Sequence, residues 1–222
     1  MQSARKTTLH AVTACGILCA AAYVVAAVAR IPVFPSAPYL KIDFKDAIIA
    51  LGGFIYGPLA AVGMAVAAAF VEFVTVSESG FIGFIMNTLS TGAFAVTAAL
   101  IYKYHRNIRG VFAGLLSGCA AMTATMLLWN YLITPIYTGM PREAVAGILL
   151  PVILPFNLIK TFLNAALTLM LYRPLVAALR RAKLLPEAED TPKSSKTTLI
   201  TIAIGAAVTA ACVAAILLIK RG

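Results

Sequence analysis

Apolar residues in this chain come in blocks of about 20, the length an α-helix needs to cross roughly 30 Å of hydrocarbon. The blocks cover approximately residues 9–29, 47–76, 81–102, 111–135, 149–172 and 198–219, and Tyr56-Gly57-Pro58 breaks the second. Only 12% of the 222 residues are charged, against 61% hydrophobic. The pattern reads as an all-α polytopic membrane protein. A net charge of +10 would point to nucleic acid in a soluble domain. Here the basic residues sit in short connections, with no basic aromatic-bearing face outside the blocks, and they read as topology signals.

Lys103, Arg106 and Arg109 fall between two blocks, and Arg173, Arg180, Arg181 and Lys183 follow a later one. Two crossings separate these clusters, so they share a side of the membrane. Arg5 and Lys6 join that side only if Gly57-Pro58 is a real turn between two helices, which gives a six-transmembrane-helix bundle. The positive-inside rule then predicts a multi-pass plasma-membrane protein with a cytoplasmic N-terminus. The external side receives the 30–46 connection, the Ser77-Glu78-Ser79-Gly80 turn and the 136–147 loop. Arg5 and Lys6 mimic a signal peptide, yet no clear small-residue cleavage site follows, so the first block is expected to remain as a helix. The composition turns polar at 184–196. That stretch reads as a linker between a six-helix unit at 1–183 and an additional C-terminal hydrophobic helix at 197–222, rich in small residues that suit helix packing.

Chemistry concentrates in Leu154-Pro155-Phe156-Asn157-Leu158-Ile159-Lys160-Thr161-Phe162-Leu163-Asn164. Asn157, Lys160 and Asn164 stand at i, i+3 and i+7 and form one polar stripe on an apolar helix. An ammonium near the bilayer centre costs roughly 2.5–3.5 kcal/mol even on the lenient scale, so Lys160 needs a partner, a cavity or a short reach to the interface. Asn87 with Thr88 and Thr91, and Asn130 with Thr134 and Tyr137, make similar stripes. A primary amide sets a donor beside an acceptor, which complements the imide or amide edge of a ligand. Tyr39, Phe44, Trp129, Tyr131 and Tyr137 offer flat apolar walls. The plainer alternative is that these asparagines bond helix to helix. The 30–46 connection has three prolines in its first half, and its length favours an ordered binding loop over a spacer.

Catalysis is poorly provided for. His10 and His105 lie near the expected inner surface without nucleophile or carboxylate company, and Glu72 is the sole acidic residue inside an expected span. Cys15, Cys19, Cys119 and Cys212 fall in apolar blocks and read as small hydrophobes, without the ligands of a metal site. No internal repeat marks an inverted-repeat transporter. If the protein moves a solute uphill, another chain must supply the energy.

Five motifs in order resemble one known family. They are Leu40-Lys41-Ile42-Asp43-Phe44-Lys45-Asp46, Tyr56-Gly57-Pro58-Leu59-Ala60, Gly83-Phe84-Ile85-Met86-Asn87, Trp129-Asn130-Tyr131-Leu132-Ile133-Thr134-Pro135-Ile136-Tyr137 and Pro155-Phe156-Asn157-Leu158-Ile159-Lys160. The chain resembles the substrate-specificity (S) component of an energy-coupling factor (ECF) vitamin transporter, of the riboflavin-binding type. The resemblance implies an S-component-like bundle, not an enzyme and without a cofactor of its own. It would bind riboflavin in an externally open pocket and deliver it with a transmembrane coupling protein and two ATPase subunits that hydrolyse ATP.

Substrate contacts would then come from Leu40, Lys41, Asp43, Phe44, Asn87, Asn130, Tyr131, Thr134, Asn157, Lys160 and Asn164. Small residues of the first helix, Gly16 with Ala20 and Ala22 with Ala26, would dock the coupling protein, or else pack within the bundle. The chain departs from the family pattern at Phe70-Val71-Glu72-Phe73, where a Lys-Asn pair is frequent, and at Lys45, where Ser is frequent. Another vitamin or a flavin nucleotide as ligand, or a membrane scaffold without transport, are the alternative readings. If Asn157 and Lys160 contact ligand, alanine at either weakens binding without unfolding the chain.

Overall fold

The computed structural model describes residues 2–34, 40–76, 80–184 and 195–221, with side chains described from Leu9 in the first helix and from Leu199 to Lys220 in the last. Its long helices are α1 (Gln2–Val28), α3 (Pro58–Thr75), α4 (Gly80–Tyr104), α5 (Ile108–Thr138), α7 (Leu154–Arg181) and α8 (Ser195–Arg221). The short ones are α2 (Lys45–Tyr56) and α6 (Arg142–Ile148), the latter running into α7 through a π-helical turn, Leu149–Ile153. Among the described residues, six stretches are long and apolar enough to cross a membrane: those of α1, α3, α4, α5, α8 and the continuous Arg142–Arg181. Of the expected connections, 35–39, 77–79 and 185–194 lie outside the described residues.

Gly57-Pro58 is a turn between two helices. Gly57 has φ 96°, a conformation glycine adopts without a Cβ clash, and Pro58 opens α3 where its missing N–H costs nothing. The chain reverses there, because Gly53 packs on Ala61 and Gly52 on Met64. α2 is nevertheless only 12 residues long, about 18 Å, and does not span the hydrocarbon by itself. It lies inside the bundle against α1, α3, α4 and α7, with nine of its residues buried, Lys45 and Asp46 among them.

Ahead of α2, the described residues 30–34 and 40–44 pack on the protein as a strap. β1 (Ile31–Pro32) pairs antiparallel with β2 (Lys41–Ile42), Ile31 opposite Ile42 and Pro32 opposite Lys41. Val33, Phe34, Leu40 and Ile42 are buried against Phe156, Ile159 and Leu163 of α7.

α4 and α5 make the closest helix pair. A Cβ at Gly114 would lie 2.7 Å from the Ala98 carbonyl oxygen, and one at Gly118 2.7 Å from that of Phe94. Both contacts are with backbone, which cannot swing away. Gly118→Val is therefore expected to destabilise the bundle by about 1–3 kcal/mol, read as a lower unfolding midpoint in detergent. Gly92→Ala on α4, where a Cβ meets nothing within 4 Å, is the matched control and should leave the midpoint in place or raise it.

Candidate substrate-binding site

The start of α2 organises the site. A helix begins with N–H groups that have no intrahelical acceptor, and Phe44 at the N-cap supplies no side-chain bond. Asn164 of α7 does so instead. Its Oδ1 accepts from the Ala47 N–H at 2.9 Å, and its Nδ2 donates to the carbonyl oxygens of Asp43 and Lys160, both at 3.0 Å. One amide thus fastens the strap, α2 and α7 together.

Around it runs a buried ionic network. Lys160 Nζ lies 3.0 Å from Asp43 Oδ2 and 3.7 Å from Asp46 Oδ2. Asp46 Oδ1 accepts a 2.6 Å bond from Thr91 Oγ1. Lys45 Nζ pairs with Glu72 Oε1 at 2.7 Å, while Glu72 Oε2 takes Arg30 Nη2 at 3.0 Å and Asn87 Nδ2 at 3.5 Å. Arg30 also donates from Nε to the Ala26 carbonyl at 2.7 Å and from Nη1 to that of Val76 at 3.4 Å, fixing the guanidinium between α1 and α3. Among these described residues three cations face three carboxylates, so their charges balance. At Asp43, which precedes α2, burial by itself raises the carboxyl pKa. The ammonium groups of Lys160 and Lys45 outweigh it and hold the group well below the usual carboxylate range.

The network forms one side of a cavity of about 620 Å³, within the roughly 300–1,000 Å³ usual for small-molecule sites. Arg30, Leu40, Lys41 and Asp43 line it from the first connection and Glu72 from α3. Ile82, Gly83, Met86, Asn87 and Ser90 of α4, Met126, Asn130, Tyr137 and Thr138 of α5, and Phe156, Asn157 and Lys160 of α7 complete it. Ionic, amide and hydroxyl groups share the lining with the apolar side chains of Leu40, Ile82, Met86, Met126 and Phe156 and the ring of Tyr137. The π-helical turn sits directly before the two α7 residues Phe156 and Asn157. Insertions of this kind recur at functional sites, and this one accommodates Pro151 and Pro155, which lack the N–H of a regular helix.

Of the residues singled out in the sequence, Leu40, Lys41, Asp43, Asn87, Asn130, Asn157 and Lys160 line this cavity. Asn157 donates from Nδ2 to the Ile153 carbonyl at 2.8 Å, and its Oδ1 has no partner among the described residues. Asn130 donates to the Met126 carbonyl at 2.7 Å and accepts from Thr134 Oγ1 at 3.0 Å. Four others do not reach the lining. Asn164 and Thr134 are buried behind it as supports, Phe44 packs in the apolar cluster behind the strap, and Tyr131 is on the outer face with Arg142 5.7 Å over its ring. Trp129 packs half-buried on the main core, and Tyr39 lies outside the described residues. Sequence reasoning missed Arg30, Lys45, Asp46, Ser90 and Phe156, and gave Glu72 no role in the site.

The small residues of α1 divide. Gly16 and Ala20 are exposed on an open apolar groove shared with Tyr23, Ala60 and Gly63. Ala22 and Ala26 are fully buried inside the bundle, so the four do not form one docking face.

A helical bundle that spans the membrane and holds a mixed polar and apolar chamber, lined in part by Arg30, Leu40, Lys41 and Asp43 of the first connection, defines a membrane-embedded solute-binding protein. The family model "ECF transporter, substrate-specific component" matches residues 10–172. This chain belongs to that family, a class of transport component and not of enzyme. Among its relatives are the riboflavin transporter FmnP of Bacillus subtilis, 34% identical over 57% of this chain and 72% of the relative, and the riboflavin transporter RibU of Staphylococcus aureus, 30% identical over 68% and 82%. A solved structure of the S component of a bacterial ECF transporter superposes with a TM-score of 0.65 at 29% identity, covering 77% of this chain and 98% of that one.

Proposed function

We propose that this chain captures riboflavin in the 620 Å³ cavity and delivers it through an ECF-type importer whose separate coupling and ATPase subunits hydrolyse ATP. The observation that carries this reading is the free Asn157 Oδ1 on an apolar-walled chamber. The flavin ring presents a planar imide whose N–H needs one acceptor, and the sulfur- and methylene-bearing side chains of Met86 and Met126 with Phe156 suit its faces. Riboflavin is uncharged, matching a network that is already neutral. Its ribityl hydroxyls both donate and accept, as do the polar groups of the lining. The riboflavin transporters FmnP and RibU among the relatives support the same ligand.

The cavity lies at the end of the bundle away from Lys103, Arg106 and Arg109 and from Arg180 and Arg181. The positive-inside rule sets those clusters in the cytoplasm and turns the site outward, in a plasma membrane. The exposed groove containing Gly16 and Ala20 is the part of α1 left for the coupling protein.

Titration of the purified chain with riboflavin, followed by flavin fluorescence, is expected to saturate at one to one. Asn157→Ala should keep the fold and weaken binding by roughly 10–100-fold, the loss of one buried hydrogen bond with its partner left unpaired. A folded chain that binds no riboflavin would leave a scaffold role or another vitamin as the function.

A further inference from the structure

α8 lies beyond the residues that carry the family match, and nothing in the binding chemistry above uses it. It runs antiparallel to α7. A Cβ at Gly205 would meet Met170 Cγ at 2.6 Å and the Ala166 carbonyl oxygen at 3.1 Å, so the two helices touch there. From that crossing α8 leads back toward the start of α7. Its far half then reaches the apolar cluster behind the strap, where Cys212 is buried and Val208, Ala215, Ile216 and Ile219 pack half-buried.

The other buried members of that cluster are the strap residues Val33, Phe34, Leu40 and Ile42 with Phe156, Ile159 and Leu163 of α7. Two of them, Leu40 and Phe156, also line the cavity. α8 therefore packs on the cluster to which two residues of the chamber's apolar wall belong. The strap needs such support, because its two-residue strands hold only two register pairs and a ladder that short is unstable alone.

We infer that α8 is a backstop that holds the strap against α7 and so slows escape of the bound solute. The solute's identity rests on the riboflavin reading; the clamping of the strap does not. In the full chain, Gly205→Leu would wedge α8 from α7, and Ile216→Ser with Ile219→Ser would strip the apolar contact while leaving the crossing intact. Leu217→Ser with Leu218→Ser removes comparable apolar surface from positions 53% and 70% exposed, and serves as the control.

Two readouts apply to each variant: amide hydrogen exchange at residues 31–34 and 40–42, and the dissociation rate of riboflavin. Both are expected to rise roughly tenfold in the two test variants and to hold in the control. Exchange and dissociation unchanged in both test variants would overturn the backstop, as would faster exchange with unchanged dissociation. If the unaltered chain binds no riboflavin while strap exchange accelerates in the test variants, the ligand assignment falls and the clamping role stands.

Discussion

Lys160→Ala is expected to remove riboflavin binding to the extent of about 100-fold or more and to lower the stability of the empty protein by about 3–5 kcal/mol. The second effect is what the sequence alone does not foretell, since an intramembrane lysine on a polar stripe reads as a ligand contact that can be cut without harm to the fold. In the structure Lys160 is flanked by Asp43 at 3.0 Å and Asp46 at 3.7 Å. Asp46 Oδ2 and Asp43 Oδ1 are buried and make no hydrogen bond among the described residues, so Lys160 supplies the compensation at this end of the network. Alanine leaves two carboxylates side by side with one cation too few. A charge stripped of its partner costs far more than the pair contributes, and the strap and α2 would be displaced with it. Chemical unfolding in detergent without ligand measures the stability loss; riboflavin titration of the folded fraction measures the binding loss. An alanine variant that unfolds at the wild-type midpoint would mean that the Asp43 and Asp46 charges do not depend on Lys160, and the ionic network would have to be redrawn.

The sequence made the need for such a network visible but not its members. An ammonium in an apolar block demands a partner, yet Asp43 lies 117 residues away along the chain and Glu72 reaches Arg30 across 42. Only tertiary packing of α1, α2, α3 and α7 brings them together. The Gly57-Pro58 turn was legible because each residue has a local reason to be there, positive φ for glycine and the first helical position for proline. The burial of α2 inside the bundle was not, since the stretches on both sides of Gly57-Pro58 are apolar and hydropathy does not report which of the two is enclosed by other helices. Periodicity located the stripes on the lining helices but not their depth. Asn164 shares the face of Asn157 and Lys160, one turn beyond Lys160, and there it meets the start of α2 instead of the chamber. Tyr131 follows Asn130 by one residue, which is about 100° around the helix, and faces outward. The π-helical turn depends on how α6 enters α7, and no local pattern announces it.

The Lys45–Glu72 pair should show the second large effect, and in a form that separates electrostatics from packing. Lys45 and Glu72 meet at 2.7 Å with side chains 1% and 3% exposed, whereas Arg30, the other partner of Glu72, keeps 23% of its side chain accessible. Removing the carboxylate as Glu72→Gln leaves Lys45 buried beside a neutral amide; removing the ammonium as Lys45→Met leaves Glu72 with the Arg30 cation and the Asn87 amide. Each single change is expected to destabilise the protein, the first by about 3–5 kcal/mol because Lys45 has no water to turn to, and the second by less because Arg30 remains on Oε2. The double variant removes both charges, restores neutrality, and is expected to be more stable than Glu72→Gln alone. Arg30 would then be the uncompensated cation, and its partial exposure lets solvent serve it. Unfolding midpoints of the four proteins close a thermodynamic cycle, and a coupling of about 2 kcal/mol or more is the expected outcome for a pair in direct contact. Additive losses would show that each residue matters for its shape, in which case α2 is anchored to α3 by the Gly52 and Gly53 contacts and not by charge.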